Sequence, residues 1–163
     1  MATWMRLGAV FLGALLVQLT VFVDVRIFGV APELLSLLAV TAGFFVGPER
    51  GPVIAFAAGL MWDIYLPTPL GVSAFTFAVV AFAVGSLNEG LFHETRSQLV
   101  AVCGLASGAA VVGYALLGSI VGESGLIGTE MVVVALLVGA INAVLAPLVA
   151  PLMVWALSAE TQR

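Results

Sequence analysis

Apolar residues form six runs along the chain, and most charged residues lie in the short segments between those runs. A helix that crosses a bilayer needs about 20 mostly apolar residues, and the first, fourth, fifth and sixth runs reach that length. The second and third runs are shorter, and they would span where the bilayer is locally thin. The pattern predicts one all-α integral-membrane domain over 1–163, with six transmembrane helices at 7–23, 32–47, 52–66, 70–87, 97–120 and 131–157.

The two short runs could instead form a re-entrant hairpin that leaves the membrane on the side where it entered. That arrangement would place Glu49 and Arg50 at mid-depth, where each charge costs about 2.5–3.5 kcal/mol. Two short spanning helices avoid this cost, so six spans are favoured.

The distribution of arginines agrees with six spans. Arg6, Arg50, Arg96 and Arg163 then fall on one side of the membrane, and Arg26 falls on the other. Cytoplasmic loops carry an excess of positive residues, which predicts that both termini are cytoplasmic. We expect the first run to be an uncleaved helix and not a signal peptide, because no small-x-small cleavage pattern follows it.

Composition excludes most other classes of protein. The chain has 163 residues, of which 63% are hydrophobic and 9% are charged, whereas soluble domains have about 45–50% apolar and about 25% charged residues. Fourteen charges cannot cover the surface of a soluble domain of this size. Five basic residues in a chain of net charge −4 also exclude binding to nucleic acid.

The sequence contains no arrangement that is typical of an enzyme. His93 is the single histidine, so no second histidine is available for a metal site. Cys103 is the single cysteine, and we expect it to act as a small hydrophobic residue. A phosphate-binding loop of the GK[ST] type needs a lysine, and the chain has none. We therefore predict no enzymatic activity and no cofactor.

Small residues recur at a spacing of four positions in several predicted helices. Such spacing lets helix backbones approach closely. The set comprises Gly43, Gly47 and Gly51, Gly104 with Gly108, Ala55 with Gly59, and Gly139 with Ala143. The pattern predicts close packing inside the bundle, and the alternative is a docking face for a transmembrane helix of a partner.

Two polar residues interrupt the apolar runs. Asp63 is the only acid within such a run, and Asn142 lies near the middle of the sixth run. The Asp63 carboxylate could accept backbone N–H groups of the following turn, form an ion pair with Arg26, or mark a ligand or proton site. Asn142 could donate a hydrogen bond to a neighbouring helix, and Pro147 and Pro151 beyond it predict a kink.

A short part of the sequence resembles a known family. Gly59-Leu60-Met61-Trp62-Asp63, followed by Pro69-Leu70-Gly71 at the start of a helix, resembles the central signature of the MreD family of rod shape-determining membrane proteins. Pro32-Glu33-Leu34-Leu35 resembles the acidic helix start of that family. The positions that match the family motifs are Pro32, Glu33, Gly59, Asp63, Pro69, Leu70 and Gly71.

The resemblance implies a non-enzymatic component of the machinery that builds the lateral wall of rod-shaped bacteria. It places the chain in the bacterial inner membrane. It implies binding to MreC, a single-span periplasmic scaffold, and indirect action with MreB filaments, RodA and the transpeptidase that works with RodA. The family is also similar to the substrate-binding subunits of energy-coupling-factor transporters, which are six-helix bundles with a ligand pocket near the outer face.

Two hypotheses follow from the residues and the resemblance together. In the first, the chain is a membrane adaptor whose helix faces and outer loops dock MreC. In the second, the bundle encloses a pocket and binds a small molecule as a subunit of a vitamin-type transporter. A pocket needs several polar or aromatic groups near one face, and the candidates are few: Gln18, Arg26, Asp63, Tyr65 and Glu123. The adaptor is therefore favoured, and whether two copies of the chain form a homodimer stays open.

Overall fold

A computed structural model describes residues 2–22, 24–26, 28–67, 69–91, 95–123 and 125–158. Within these ranges every regular element is a helix, as predicted. The helices are α1 (Ala2–Thr20), α2 (Leu34–Asp63), α3 (Val72–Leu91), α4 (Arg96–Val121) and α5 (Thr129–Leu157). His93 and Arg163 of the sequence analysis lie outside the described residues.

α2 is two helices that meet in a sharp reversal, and its halves correspond to the second and third predicted helices. Gly47 has φ 81° and ψ −177°, and Pro48 follows it. A Cβ atom built on Gly51 would lie 2.7 Å from the Cα of Gly43, although residues eight apart in a straight helix are separated by about 12 Å. The half before Gly47 (34–46, α2a) and the half after it (48–63, α2b) therefore fold back against each other as a hairpin.

α2a forms the centre of the bundle. Its residues from Leu34 to Phe44 are all buried, and α1, α3, α4 and α5 all contact α2. A helix that is apolar on every side is typical of a position in the core. The second apolar run therefore supplies a core helix that is covered by protein, and its short length does not require a thin bilayer.

α3 packs against the α2 hairpin and runs antiparallel to α2b. Gly59 in α2b contacts the backbone of Ala74 near the start of α3, and Gly85 near the end of α3 contacts Pro48. The Asn88 side chain donates a hydrogen bond to the Phe44 carbonyl oxygen, with Nδ2 and O 2.8 Å apart. The last turns of α3 therefore cover the reversal of α2.

Arginines gather at one end of the bundle. Arg6 donates a hydrogen bond to the Trp155 carbonyl oxygen at 3.3 Å, and its guanidinium lies 5.0 Å from the centre of the Trp155 ring. Arg50 lines a cavity with Thr3 and Leu157, and is therefore at the same end. Arg96 begins α4 shortly after α3 has ended beside the hairpin. We call the end with Arg6, Arg50 and Arg96 the arginine end.

Three described helices are long and apolar enough to cross a membrane, and they contain Thr3–Thr20, Arg96–Val121 and Thr129–Leu157. α3 adds a shorter apolar stretch, Val72–Asn88. Six spans therefore stay a prediction. The helix bounds differ from the predicted ones mainly in α1, which begins at Ala2 and ends at Thr20, and in α2, where one element replaces 32–47 and 52–66.

Candidate functional site

Asp63 is the last residue of α2, and its carboxylate closes the start of α3. Its Oδ2 atom accepts hydrogen bonds from the backbone N–H of Gly71 at 2.8 Å and of Ala74 at 3.2 Å. Its Oδ1 atom accepts one from the N–H of Ser73 at 3.0 Å. The first N–H groups of a helix have no partner within the helix and carry a partial positive charge. Asp63, which is only 1% exposed, satisfies three such groups.

The matched motif positions around Asp63 form one structural unit. Gly59 has no side chain, which lets the α2b backbone contact α3 at Ala74. Gly71 has φ +105°, a conformation that favours glycine. Pro67 and Pro69 lie between the helices and cannot donate a backbone hydrogen bond. The motif therefore fixes the turn from α2b to α3, as the structural interpretation of Asp63 predicts.

Of the alternatives for Asp63, the structure favours backbone hydrogen bonds over an ion pair with Arg26. Both carboxylate oxygens of Asp63 accept hydrogen bonds from backbone N–H groups at the start of α3. Arg26 is exposed. Backbone donors can reach a deeply buried carboxylate without burying a second charge, which a pair with Arg26 would require.

Asn142 holds three helices together at the centre of the bundle. Its Nδ2 atom lies 3.1 Å from the Glu33 carbonyl oxygen, 3.2 Å from Ser36 Oγ and 3.0 Å from Ser107 Oγ. These residues belong to α5, to the start of α2 and to α4. The Oδ1 atom of Asn142 is buried and has no hydrogen-bond partner among the described residues. The predicted bond between helices is thus present.

Gln18 of α1 completes the support of the segment that enters α2. Its Nε2 atom donates to the Pro32 carbonyl oxygen at 2.6 Å, and its Oε1 atom accepts from the Leu34 N–H at 2.9 Å. Non-helical backbone inside an apolar bundle needs such partners, because no water is there to supply them. Sequence patterns indicate Gln18 only as a pocket candidate, and they give no signal for Ser36 or Ser107. A serine in an apolar run is too common a signal to single them out.

The glycines of the predicted packing set make close backbone contacts inside the bundle. Gly43 contacts the backbone of Ala81. A Cβ on Gly139 would lie 2.7 Å from the Gly104 carbonyl oxygen, and one on Gly108 would lie 3.0 Å from the Ala135 carbonyl oxygen. Gly47 has a second role besides its close contact with Gly85 of α3. Its backbone forms the reversal of α2.

An apolar groove runs along the outer side of the α4–α5 pair. It has a volume of about 520 Å³, and glycine and alanine form much of its floor. Leu105 and Leu136 stand at its sides and are largely exposed. The groove is lined by Val100, Ala101, Gly104, Leu105, Gly108, Val112, Val132, Ala135, Leu136, Gly139, Ala140 and Ala143. We call it the α4–α5 groove.

A second cavity, of about 390 Å³, lies away from the arginine end between α1, α4 and α5. Its polar and aromatic lining includes Gln18, Arg26, Glu33, Trp62 and Tyr114. Trp62, which precedes Asp63 in the chain, therefore lines this cavity. Among the described residues, no group of three His, Cys, Asp or Glu side chains could hold a metal ion.

Comparison with known proteins gives one match. The family model described as MreD, rod shape-determining protein MreD, matches residues 1–155 of the 163-residue chain. No curated protein and no solved structure matches the chain. The family match covers nearly the whole chain, including both helix starts and the Asp63 turn. The chain therefore belongs to the MreD family of rod shape-determining membrane proteins.

Proposed function

We propose that the chain is a non-enzymatic adaptor of the bacterial inner membrane that binds MreC and thereby supports lateral peptidoglycan synthesis. Membership in a family of shape-determining membrane proteins supports the general role. The observation that carries the docking proposal is the α4–α5 groove, an apolar channel with a floor of small residues on the outside of the bundle.

The α4–α5 groove has the features that a transmembrane helix of a partner needs for close packing. Association of helices in lipid depends on close packing, and glycine and alanine let two backbones approach. The glycines on the floor already bring α4 and α5 together, so the pair forms a stable surface. The exposed sides at Leu105 and Leu136 offer dispersion contacts to a third helix. We propose that the single transmembrane helix of MreC occupies the groove.

The proposed topology places the arginine end in the cytoplasm. Arg6, Arg50 and Arg96 lie at that end, and cytoplasmic faces of membrane proteins carry the positive excess. Both termini would then be cytoplasmic, and the Asp63 turn would face the periplasm, where MreC has its soluble part. RodA, the transpeptidase that works with RodA, and MreB would be reached indirectly through MreC.

The test is co-purification of this chain with the MreC of the same organism after extraction in mild detergent. Ala140→Leu fills the groove from an exposed position, so we expect at least about a tenfold loss of retained MreC, which corresponds to about 1.4 kcal/mol. Ala109→Leu adds the same side chain at an exposed position of α4 outside the groove. This control should retain MreC at the wild-type level.

The size-exclusion profile of each variant, measured without MreC, separates a docking defect from a folding defect. Equal retention of MreC by the Ala140→Leu and Ala109→Leu variants would refute the groove as the docking site. Failure of the wild-type chain to retain MreC at all would refute the adaptor proposal. Elution of the wild-type chain as a dimer would favour a second copy as a further partner. The comparisons do not support the transporter-subunit alternative, and we do not propose it.

A further inference from the structure

An apolar groove between α1 and α5 takes no part in the Asp63 turn or in the proposed docking of MreC. Its volume is about 460 Å³, which is in the range of pockets that hold small ligands or parts of larger ones, about 300–1,000 Å³. Leu34 and Leu38 of α2a are buried and form its floor. Leu152 and Trp155 of α5 line one side and are about half exposed. We call this cavity the α1–α5 groove.

The α1 side of the groove has room for an occupant. Ala9, Gly13 and Val17 line it, and the eight-residue step from Ala9 to Val17 extends about 12 Å along a helix. A Cβ atom built on Gly13 would have no neighbour within 4 Å, whereas one on Gly139 would lie 2.7 Å from the Gly104 carbonyl oxygen. Gly13 therefore does not serve close packing within the bundle, and its missing side chain keeps the groove open.

A positive charge is held at one end of the groove. The Arg6 guanidinium lies 5.0 Å from the centre of the Trp155 ring and donates a hydrogen bond to the Trp155 carbonyl oxygen at 3.3 Å. A guanidinium has five N–H groups in a rigid fork, and this hydrogen bond uses one of them. Trp155 thus fixes the guanidinium beside a residue of the groove and leaves it with donors for an anion.

Tryptophans indicate that this end of the groove lies at the boundary of the membrane. Trp4 and Trp155 are 62% and 51% exposed. Trp4 lines a cavity with Arg50, so both tryptophans belong to the arginine end. Tryptophan is enriched at the level of the lipid headgroups. From that level the groove extends along the apolar part of the bundle toward Val17 and Leu34.

An anionic phospholipid matches both the charge and the apolar walls of the groove. A phosphate accepts paired hydrogen bonds from a guanidinium, and an acyl chain would cover the walls. A transmembrane helix of another protein or of a second copy would also cover the walls. Such a helix would bury the Arg6 guanidinium against apolar side chains, which is costly unless an acid meets it. The charge at the end of the groove therefore favours a lipid over a helix.

We propose that the α1–α5 groove binds a phospholipid of net negative charge, such as phosphatidylglycerol, with its phosphate on Arg6 and one acyl chain along Gly13. Trp155 positions the guanidinium and forms part of the groove wall. The proposal does not rest on MreC binding, because the two grooves share no residue. The bound lipid fills the space between α1 and α5 and thereby stabilises the position of α1 in the bundle.

Retained lipid is measured by native mass spectrometry on the delipidated full-length protein in detergent. Phosphatidylglycerol and phosphatidylethanolamine with identical acyl chains share the phosphate and differ in net charge. We expect the wild-type protein to retain phosphatidylglycerol about fivefold over phosphatidylethanolamine, the effect of one basic residue near an anionic lipid surface. Arg6→Gln should abolish this preference. Arg96→Gln makes the same change at an exposed position of the arginine end outside the groove, and it should preserve the preference.

A second pair of variants tests the place of the acyl chain. Gly13→Leu fills the groove at a position with open space, so it should lower the retention of both lipids about fivefold or more. Gly8→Leu makes the same change in α1, where a Cβ likewise has no neighbour within 4 Å, but Gly8 does not line the groove. This control should retain both lipids at the wild-type level, and thermal unfolding without lipid reports whether each variant is folded.

The proposal is overturned if the wild-type protein retains the two lipids equally, or if a folded Arg6→Gln variant keeps the wild-type preference. Equal retention by the Gly13→Leu and Gly8→Leu variants would exclude the groove as the site. A lipid-free wild-type dimer that only Gly13→Leu dissociates would assign the groove to a second copy of the chain. If Gly13→Leu does not fold, the comparison of Arg6→Gln with Arg96→Gln still decides.

Discussion

The carboxylate Oδ2 of Asp63 lies 2.8 Å from the backbone nitrogen of Gly71, eight residues further along the chain. The same carboxylate reaches Ser73 and Ala74, so the end of one helix provides the cap of the next. A capping side chain usually belongs to the helix that it caps. Here the cap comes from α2b, and it therefore fixes the position of α3 against α2b as well as the start of α3.

Replacing Asp63 tests how much of the fold depends on this cap. Asp63→Asn keeps the size but places an NH₂ group where a carboxylate oxygen accepts an N–H. We expect the variant to lose about 1–3 kcal/mol of unfolding free energy, because buried donors are left without a partner. The measurement is thermal unfolding in detergent, together with restoration of rod shape in cells that lack the protein.

Glu49→Gln is the matched control for Asp63→Asn. Glu49 is an exposed acid at the α2 reversal, so its neutralisation should leave both the unfolding temperature and the cell shape unchanged. If Asp63→Asn and Glu49→Gln are tolerated equally in both assays, the Asp63 cap is unimportant for the protein.

Asn142 should stabilise the bundle through its contact with α4. We expect Asn142→Leu to lower the unfolding free energy by about 1–2 kcal/mol, since hydrogen bonds between membrane helices contribute about 0.6 kcal/mol on average and up to about 2. Ser107→Ala removes one of the three acceptors of Asn142 and should have a smaller effect. Unfolding of both single variants and the double variant gives the coupling energy between the residues. Strictly additive effects would show that the contact contributes nothing.

Gly47 should be the least replaceable glycine of the described helices on conformational grounds. Its φ of 81° and ψ of −177° belong to a region that is essentially restricted to glycine, and other residues there cost about 1–3 kcal/mol. Gly47→Ala should therefore lower the unfolding temperature and the yield of monodisperse protein. Gly128→Ala is the control, because Gly128 is extended with φ −172° and a Cβ atom built on it would have no neighbour within 4 Å. A Gly47→Ala variant as stable as Gly128→Ala would show that the reversal of α2 can adopt another geometry.

Local sequence patterns predicted the parts of this protein that depend on local chemistry. The apolar runs predicted the helices, because a backbone in an apolar environment must satisfy its own hydrogen bonds and a helix does so within one segment. The Pro-Thr-Pro segment and Gly71 predicted the break between α2b and α3, because proline ends a helix and glycine permits a positive φ. An acid within an apolar run predicted that Asp63 needs a special partner, and one of the three alternatives is the one observed.

Sequence patterns could not identify contacts that depend on distant parts of the chain. Asn142 meets Glu33 across 109 residues and Ser107 across 35, and nothing local to these positions specifies those pairs. Likewise, the sequence permits Asp63 to pair with Arg26, and only the position of the α3 backbone excludes it. The cavity lined by Arg26, Glu33 and Tyr114 is formed by five separate stretches of the chain and has no signature in any one of them.

The sequence by itself determined that the chain is helical, apolar and membrane-bound, and that arginines mark one end of the bundle. The tertiary structure decided that the run 34–46 is a core helix and not a lipid-facing span, and that the α4–α5 pair presents a groove to the outside. The physical reason is that hydropathy measures the exclusion of a segment from water. Lipid tails and a protein interior are equally apolar, so only the packing of the helices distinguishes the residues that face lipid from those that face each other.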